Sequence, residues 1–314
     1  MKILITGGSG FIGSHLARTF IQKGAEVYII DNLVTGNKNN IADLDTANLH
    51  FFEADITTFD FSVIPAVDII FHLASPASPI QYKIHSVETL LTNSLGTYKV
   101  LEYMRATESK RLVLASTSEI YGDPLVHPQT EDYFGNVNTV GPRACYDEAK
   151  RFAEAMVTTY MRKYNLDIRI ARIFNTYGPN MEINDGRVVS NFITQAISGK
   201  PITIYGNGDQ TRSFCYVSDM IRGLSLLAET DGIAGQIINI GNPEEKTMKE
   251  LATIVKAMVT TSSEIVYHPI DQDDPRKRKP DITKAQTLLG WKPEVKLEDG
   301  LQKTIEYFRE ALRK

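Results

Sequence analysis

The fold is decided by the first sixteen residues, "MKILITGGSGFIGSHL", Met1–Leu16. "KILIT" is a short apolar run and reads as a strand. Glycines crowd the turn after it, and "GFIGSHLARTFIQKG" continues with a helical period. Gly7, Gly10 and Gly13 stand three apart, and Gly8, Gly10 and Gly13 also fit G-x-G-x-x-G. Glycine lets the backbone turn sharply, approach a pyrophosphate and pack helix against strand. The helix N-terminus then offers unpaired N–H groups to the phosphates. Lying between a strand and a helix, this turn points to dinucleotide binding at Gly7, Gly10, Phe11, Ile12 and Gly13.

Further along, "EVYIID", "LHFFEAD", "DIIFHLA" and "RLVLAS" repeat the pattern of short strands apolar on both faces, as in a parallel sheet covered on both sides. Helical stretches separate them. "VETLLTNSLGTYKVLEYMRA" places Leu91, Leu95, Tyr98 and Leu101 on one face, and "CYDEAKRFAEAMVTTYMRKY" spaces Phe152, Met156 and Tyr160 by four. The expected fold is α/β: a Rossmann-type doubly wound parallel sheet. After "DIRIARIFNTYGP" elements shorten and turns cluster, so a smaller mixed C-terminal substrate-binding region is expected over the sheet's carboxyl edge. The expected division is 1–173 plus about 216–241 for the nucleotide half, and about 174–215 plus 242–314 for the other. Nothing resembles a linker, so the two should share a continuous interface. Thr247 and Glu250 form a capping box, and "LEDGLQKTIEYFREALRK" reads as an amphipathic terminal helix.

Composition narrows the function. The 314 residues carry a net charge of −4, which argues against a nucleic-acid partner. Cys145 and Cys215 form no CxxC, the six histidines form no HExxH, and no metal is expected. No apolar run approaches the roughly 20 residues of a membrane helix, and no signal peptide is seen, so a cytoplasmic protein is expected.

The second strand ends at Asp31, whose carboxylate suits the two ribose hydroxyls of NAD and would repel a 2′-phosphate. Asn32, Asp55, Ile56, Leu73 and Ala74, at the ends of the second, third and fourth strands, complete the expected cofactor contacts. "CYDEAK" puts Tyr146 and Lys150 one helical turn apart. A tyrosine titrates near ~10, too high for a base at neutral pH. A neighbouring ammonium stabilises the phenolate and a bound nicotinamide cation would help, so Tyr146 can take a proton from a sugar hydroxyl. Thr117, where a strand runs out, is a natural partner for the same hydroxyl.

Thr6-Gly7-x-x-Gly10-x-x-Gly13, the Thr117 strand end and Tyr146-x-x-x-Lys150 resemble the extended short-chain dehydrogenase/reductase superfamily. Its members bind NAD and act on nucleotide sugars. More specific stretches are "HLASPASP" (72–79), "TSEIYGDP" (117–124), "GNVNTVGPRACYDEAKR" (135–151), "NDGRVVSNFI" (184–193), "YGNGDQTRSFCYV" (205–217) and "DDPRKRKPDI" (273–282). Together they resemble the UDP-glucuronate decarboxylases, which make UDP-xylose. Animal and plant members often carry an N-terminal membrane anchor, and none is read here.

The resemblance implies a set of roles. Thr117, Ser118, Glu119, Tyr146, Lys150 and Arg278 would be catalytic, with Arg278 near the substrate carboxylate. The related 4,6-dehydratases read Thr-Asp-Glu where this chain has Thr117-Ser118-Glu119. Ser118 leaves room for a carboxylate where a dehydratase keeps its acid. Glu119 would distort the ring, press on the carboxylate or organise the water that protonates C5. Arg212 matches the family's diphosphate arginine and Asn175 a phosphate-side amide; Arg187, Val188 and Tyr205 lie in stretches resembling the uridine pocket. Arg276 and Lys277 read as solvated charges. Tyr98, Met104 and Phe152 read as core or dimer packing, and a homodimer through a four-helix bundle is implied. Cys145 reads as a small buried neighbour of Tyr146. Another enzyme of the same fold (a 4,6-dehydratase, a 4-epimerase or an oxidative decarboxylase releasing the 4-keto pentose) remains the alternative.

Overall fold

A computed structural model describes residues 1–269, 275 and 277–313. Arg276 and part of the 273–282 stretch lie outside the described residues.

Six strands enter first: β1 (Lys2–Thr6), β2 (Glu26–Asp31), β3 (Leu49–Glu53), β4 (Ile69–His72), β5 (Arg111–Thr117) and β6 (Ile168–Ile173). The next four are short: β7 (Thr176–Tyr177), β8 (Ile202–Tyr205), β9 (Thr211–Ser213) and β10 (Cys215–Tyr216). Then come β11 (Ile237–Ile240), β12 (Glu245–Thr247), β13 (Ile265–His268) and β14 (Lys277–Arg278). The main sheet has the order β11-β6-β5-β4-β1-β2-β3, and every pairing in it is parallel. The order reverses between β1 and β4, the switch point where such sheets open a crevice at their carboxyl ends.

The helices are α1 (Phe11–Gln22), α2 (Pro79–Ile84), α3 (Ser86–Leu91), α4 (Thr97–Thr107), α5 (Ala144–Tyr164), α6 (Val188–Ile197), α7 (Val217–Glu229), α8 (Met248–Val259), α9 (Thr283–Leu289) and α10 (Leu297–Ala311). They cover both sheet faces. Alternate residues of one strand point to opposite faces. Thus Ile3 and Ile5 join Phe20 of α1 and Leu224 of α7, while Leu4 between them joins Leu101 and Met104 of α4 and Val157 of α5. Each such fully buried side chain contributes about 1.5–3 kcal/mol of hydrophobic stabilisation.

The first of these cores does not stop at the sheet. It continues through Phe192, Ile204, Leu251 and Leu301 into the C-terminal elements. That continuity agrees with the lack of a linker. The capping box forms as read, with the Thr247 hydroxyl accepting the Glu250 N–H at 3.1 Å and Glu250 accepting the Thr247 N–H at 2.7 Å. The terminal helix α10 buries Leu297, Leu301, Ile305 and Phe308 along one stripe.

One expectation needs correction. The stretch 87–106 is not one continuous α-helix: a π turn at Thr92–Gly96 separates α3 from α4. The wider turn takes in an extra residue and so rotates α4 about its axis relative to α3. Leu101 therefore enters the core, while Leu91, Leu95 and Tyr98 are 46%, 42% and 44% exposed. Within the π turn the Asn93 side chain donates to the Ser75 hydroxyl at 2.8 Å and the Thr89 carbonyl at 2.9 Å.

Candidate active site

A cleft of about 1120 Å³ opens over the carboxyl ends of the strands. Its floor is the glycine turn. Gly7 holds φ +72°, and a Cβ there would meet the Ala74 backbone at 2.9 Å. A Cβ on Gly13 would lie 2.2 Å from the Gly7 carbonyl oxygen. The first turn of α1 carries no side-chain cap and no acidic residue, and Gly10–Gly13 line the cleft. Asp31 closes this end. It accepts the Ser9 and Leu33 N–H groups at 2.9 Å each, so it also holds the turn in shape. Burial pushes its carboxyl up, against the pull of the Leu33, Ser9 and Gly10 amides. An uncapped helix end, a cradle that a methyl would fill and a carboxylate at the second strand end all fit NAD.

Asn32, Ile56, Leu73 and Ala74 line the same half. Asp55 does not stand on the cleft wall. Its carboxylate accepts the Thr57 hydroxyl at 2.6 Å and the Asn32 amide at 3.2 Å, so it acts by holding Asn32. Gly13→Ala should abolish NAD binding in a fluorescence titration and lower stability by about 1–3 kcal/mol, because the clashing atoms are backbone. Wild-type affinity in that variant would contradict this account of the turn.

A buried relay ties this floor to the π turn. The Thr6 hydroxyl accepts the Leu73 and Ala74 N–H groups at 3.2 Å each, so its own proton goes to His72 Nδ1 at 2.8 Å. His72 Nε2 then donates to the Thr97 hydroxyl at 3.0 Å, which donates to the Asn93 carbonyl at 2.7 Å. Burial, with Lys150 nearby, pushes His72 down to about 3, so it is neutral. His72 occurs in one of the family-like stretches but had no assigned role.

The expected trio comes together. Tyr146 and Lys150 sit on the first turns of α5, and Thr117 ends β5. The Tyr146 ring stacks on Tyr82 with 4.9 Å between centroids and 5° between planes. Lys150 Nζ donates to the Ala115 carbonyl at 2.9 Å and lies 5.9 Å from the Tyr146 ring centroid. Burial pushes Lys150 down to about 8. The expected low pKa of Tyr146 is not produced by the protein alone. Burial pushes the phenol above its usual range, the Thr117 hydroxyl pulls it back, and Glu119 and Asp147 push it further up. The Tyr146 phenol of the protein alone is therefore held neutral. Cys145 is half-buried, its thiol 3.5 Å from the Tyr82 carbonyl oxygen and pushed up by burial, which suits packing better than nucleophilic attack.

Beside this trio lies a cluster of buried charge. Thr117 caps a 3₁₀ turn, Ser118–Tyr121, with its hydroxyl accepting the Glu119 N–H at 3.2 Å. That turn aims Glu119 into the cleft beside buried Ser118. One Glu119 oxygen accepts from Arg278 Nη1 and the other from Arg143 Nη2. Burial raises the Glu119 carboxyl, but Arg278, Arg143 and Arg212 outweigh it and hold the group at about 2. The magnitudes are consistent: a charge pair ~4 Å apart is worth on the order of 4 kcal/mol at an effective dielectric of ~20, against a burial penalty of several kcal/mol per ion.

Two sequence readings change here. Arg278, expected near a substrate carboxylate, also holds Glu119 of its own chain. Arg143 had no assigned role and proves to be the second clamp. Its signal was its position three residues before Tyr146, one helical turn from the base. Arg278 and Arg212 are also register partners on β14 and β9, so both guanidinium groups belong to one small sheet.

The remaining candidates, Asn175, Arg187, Val188, Tyr205 and Arg212, also line the cleft. The Asn175 amide donates to the Ser213 carbonyl at 3.4 Å. Arg187 heads α6 just before Val188, grips Asp185 with bonds of 2.5 and 2.6 Å, and lies 5.9 Å over the Phe11 ring. It stands beside the glycine turn rather than at the far rim. Tyr205 is at that rim, 48% exposed. Among the described residues no group of three His, Cys, Asp or Glu side chains is placed to hold a metal, and no helix is long and apolar enough to cross a membrane.

Residues 3–241 match the model of the NAD dependent epimerase/dehydratase family.

The chain belongs to that family.

It is 52% identical to UDP-glucuronic acid decarboxylase 6 of Arabidopsis thaliana over 98% of this chain and 89% of that protein. It is 50% identical to UDP-glucuronic acid decarboxylase 1 of Danio rerio over 99% of this chain and 73% of that protein. Among solved structures, UDP-glucuronic acid 4-epimerase from Bacillus cereus, a mutant in complex with a fluorinated UDP-sugar and NAD, superposes with a TM-score of 0.91 at 29% identity. That match covers 99% of this chain and 100% of the epimerase. Family membership accounts for the parallel sheet and for a glycine turn suited to NAD.

Proposed function

We infer that this protein is an NAD-using UDP-glucuronate decarboxylase that releases CO2 and forms UDP-xylose. One observation carries the reading: identity of about half with decarboxylases over nearly the whole chain, against 29% with a 4-epimerase of the same fold. NAD, when bound, supplies a reversible oxidation at C4.

In this reading Tyr146 takes the proton of the C4 hydroxyl while Thr117 bonds the same oxygen and Lys150 steadies the phenolate. A ketone at C4 is β to the C6 carboxylate, and such acids lose CO2 because the electrons flow into an enolate. C5 then takes a proton, and Tyr146 returns its own to the C4 oxygen as the ketone is reduced back to the alcohol. Each turnover therefore consumes one proton beyond the one Tyr146 carries. Glu119, an anion at neutral pH, does not hold that proton. Its charge faces the carboxylate that must leave, while Ser118, Arg143 and Arg278 offer the donors that orient it. Asn175 and Arg212 serve the diphosphate, Arg187 and Val188 the wall between cofactor and substrate, and Tyr205 the uridine rim.

The same reading includes a homodimer. Leu91, Leu95, Tyr98 and Phe152 are 42–50% exposed on the α3–α4 arm and on α5, the apolar surface that a four-helix interface would cover. It also includes the division into two parts at the boundaries expected from the sequence, with the NAD half built on the main sheet, and a reducing compartment, the cytoplasm, in keeping with two free cysteines.

The test is product analysis. UDP-glucuronate should yield CO2 and UDP-xylose with deuterium at C5 in D2O, without net NADH. Stoichiometric NADH would indicate an oxidative decarboxylase instead, and a product with all six sugar carbons would overturn decarboxylation.

A further inference from the structure

Next to Tyr146 stands a carboxyl group with no place in that chemistry. Asp147 is only 5% exposed. One of its oxygens, Oδ2, lies 3.7 Å from Arg143 Nε. The other, Oδ1, has no hydrogen-bond partner among the described residues. Arg143 reaches Glu119 with its far end, and Glu119 reaches Arg278. Four charges thus alternate from the start of α5 to β14: Asp147, Arg143, Glu119, Arg278.

Two carboxylates share Arg143, and the substrate brings a third. Like charges crowded in a buried site favour the protonated form of whichever carboxyl is least well paired. Glu119 has two direct guanidinium bonds and stays ionised. Among the described residues Asp147 has no direct guanidinium hydrogen bond, only Arg143 at 3.7 Å, and a bare oxygen, so it is the group that yields.

We propose that Asp147 is a positioning residue for decarboxylation that acts through Arg143: protonated, it leaves Arg143 to Glu119 and the substrate carboxylate; ionised, it draws Arg143 away and repels that carboxylate. This rests on the decarboxylase reading. The groups facing Asp147 are Glu119 on the 3₁₀ turn, Arg143 before α5, Arg278 on β14, Tyr82 on α2, and Cys145, Tyr146 and Glu148 on α5. Burial first, then repulsion by Glu119, raises the Asp147 carboxyl; Arg143 and Arg278 pull it back, and it settles at about 7. Because the folded protein favours the protonated form, the supportive state dominates below that pH and is lost above it.

The experiment is the pH profile of kcat/KM for UDP-glucuronate in wild type and in Asp147→Asn, which keeps the shape and cannot ionise. In wild type, kcat/KM should fall about tenfold per pH unit above the Asp147 midpoint, chiefly through KM. In Asp147→Asn that limb should move up to the titration of Lys150, at about 8, with activity at pH 6 close to wild type. UDP, which has no carboxylate, should bind both proteins alike at every pH. An unchanged limb in the variant, or a uniform loss at all pH values, overturns the proposal. Should the variant not fold, carboxyl 13C titration of wild-type holoenzyme decides: an aspartate titrating near neutrality supports the proposal, and its absence overturns it. Failure to form UDP-xylose at all would strike the decarboxylase reading instead, and would show in the wild type.

Discussion

Tyr146→Phe should lower kcat by about 10²–10⁴-fold, the range for loss of a positioned general base, while NAD stays bound. The change removes one oxygen and keeps the ring stacked on Tyr82. Stability should move little for that reason. The substituted ring cannot take the C4 proton, so oxidation fails before any carbon is lost. Stopped-flow absorbance at the nicotinamide band should show no reduction on mixing with UDP-glucuronate. A variant with more than a tenth of wild-type kcat would remove Tyr146 from the role of base. The environment adds a second expectation. Because burial, Glu119 and Asp147 all favour the neutral phenol, the ionised form should appear only once NAD is bound. Ultraviolet titration of tyrosine with and without NAD reads this directly.

Glu119→Gln should cost about 10²-fold or more in kcat, and it should also change what the protein binds. The amide leaves Arg143 and Arg278 buried with no anion between them. Removing one partner of a buried ion pair costs about 3–5 kcal/mol, so the melting temperature should fall. A substrate carboxylate can then take the vacated charge. UDP-glucuronate should therefore raise the melting temperature of the variant more than that of wild type, whereas UDP-glucose should raise both alike. Equal protection by the two sugars would show that Arg143 and Arg278 do not meet the substrate carboxylate.

Much of the site was legible because its parts are local. The glycine turn, Asp31 at a strand end and the Tyr146–Lys150 pair each depend on residues within one turn of each other. The contacts that escaped depend on long-range approach. Glu119 and Arg278 are 159 positions apart. Nothing in either stretch says that they pair, and the neighbours of Arg278 in "RKRK", Arg276 and Lys277, read as solvated charge. Arg143 and Asp147 lay inside a family-like stretch, overshadowed by the tyrosine between them. The π turn escaped for another reason: helical periodicity does not register one extra residue in a turn, yet that residue decides which of Leu91, Leu95, Tyr98 and Leu101 face the core.

By itself the chain dictated the alternation of strand and helix, the glycine turn and the Tyr146–Lys150 spacing, because strand period, helix period and glycine's freedom are properties of neighbouring residues. Only the tertiary structure decided the charge state of the site. Whether Glu119 is an acid or an anion depends on how many guanidinium groups reach it from β14 and from the start of α5, and on how much water the packed sheet and helices exclude. Those are properties of distance and burial, which the folded chain alone establishes.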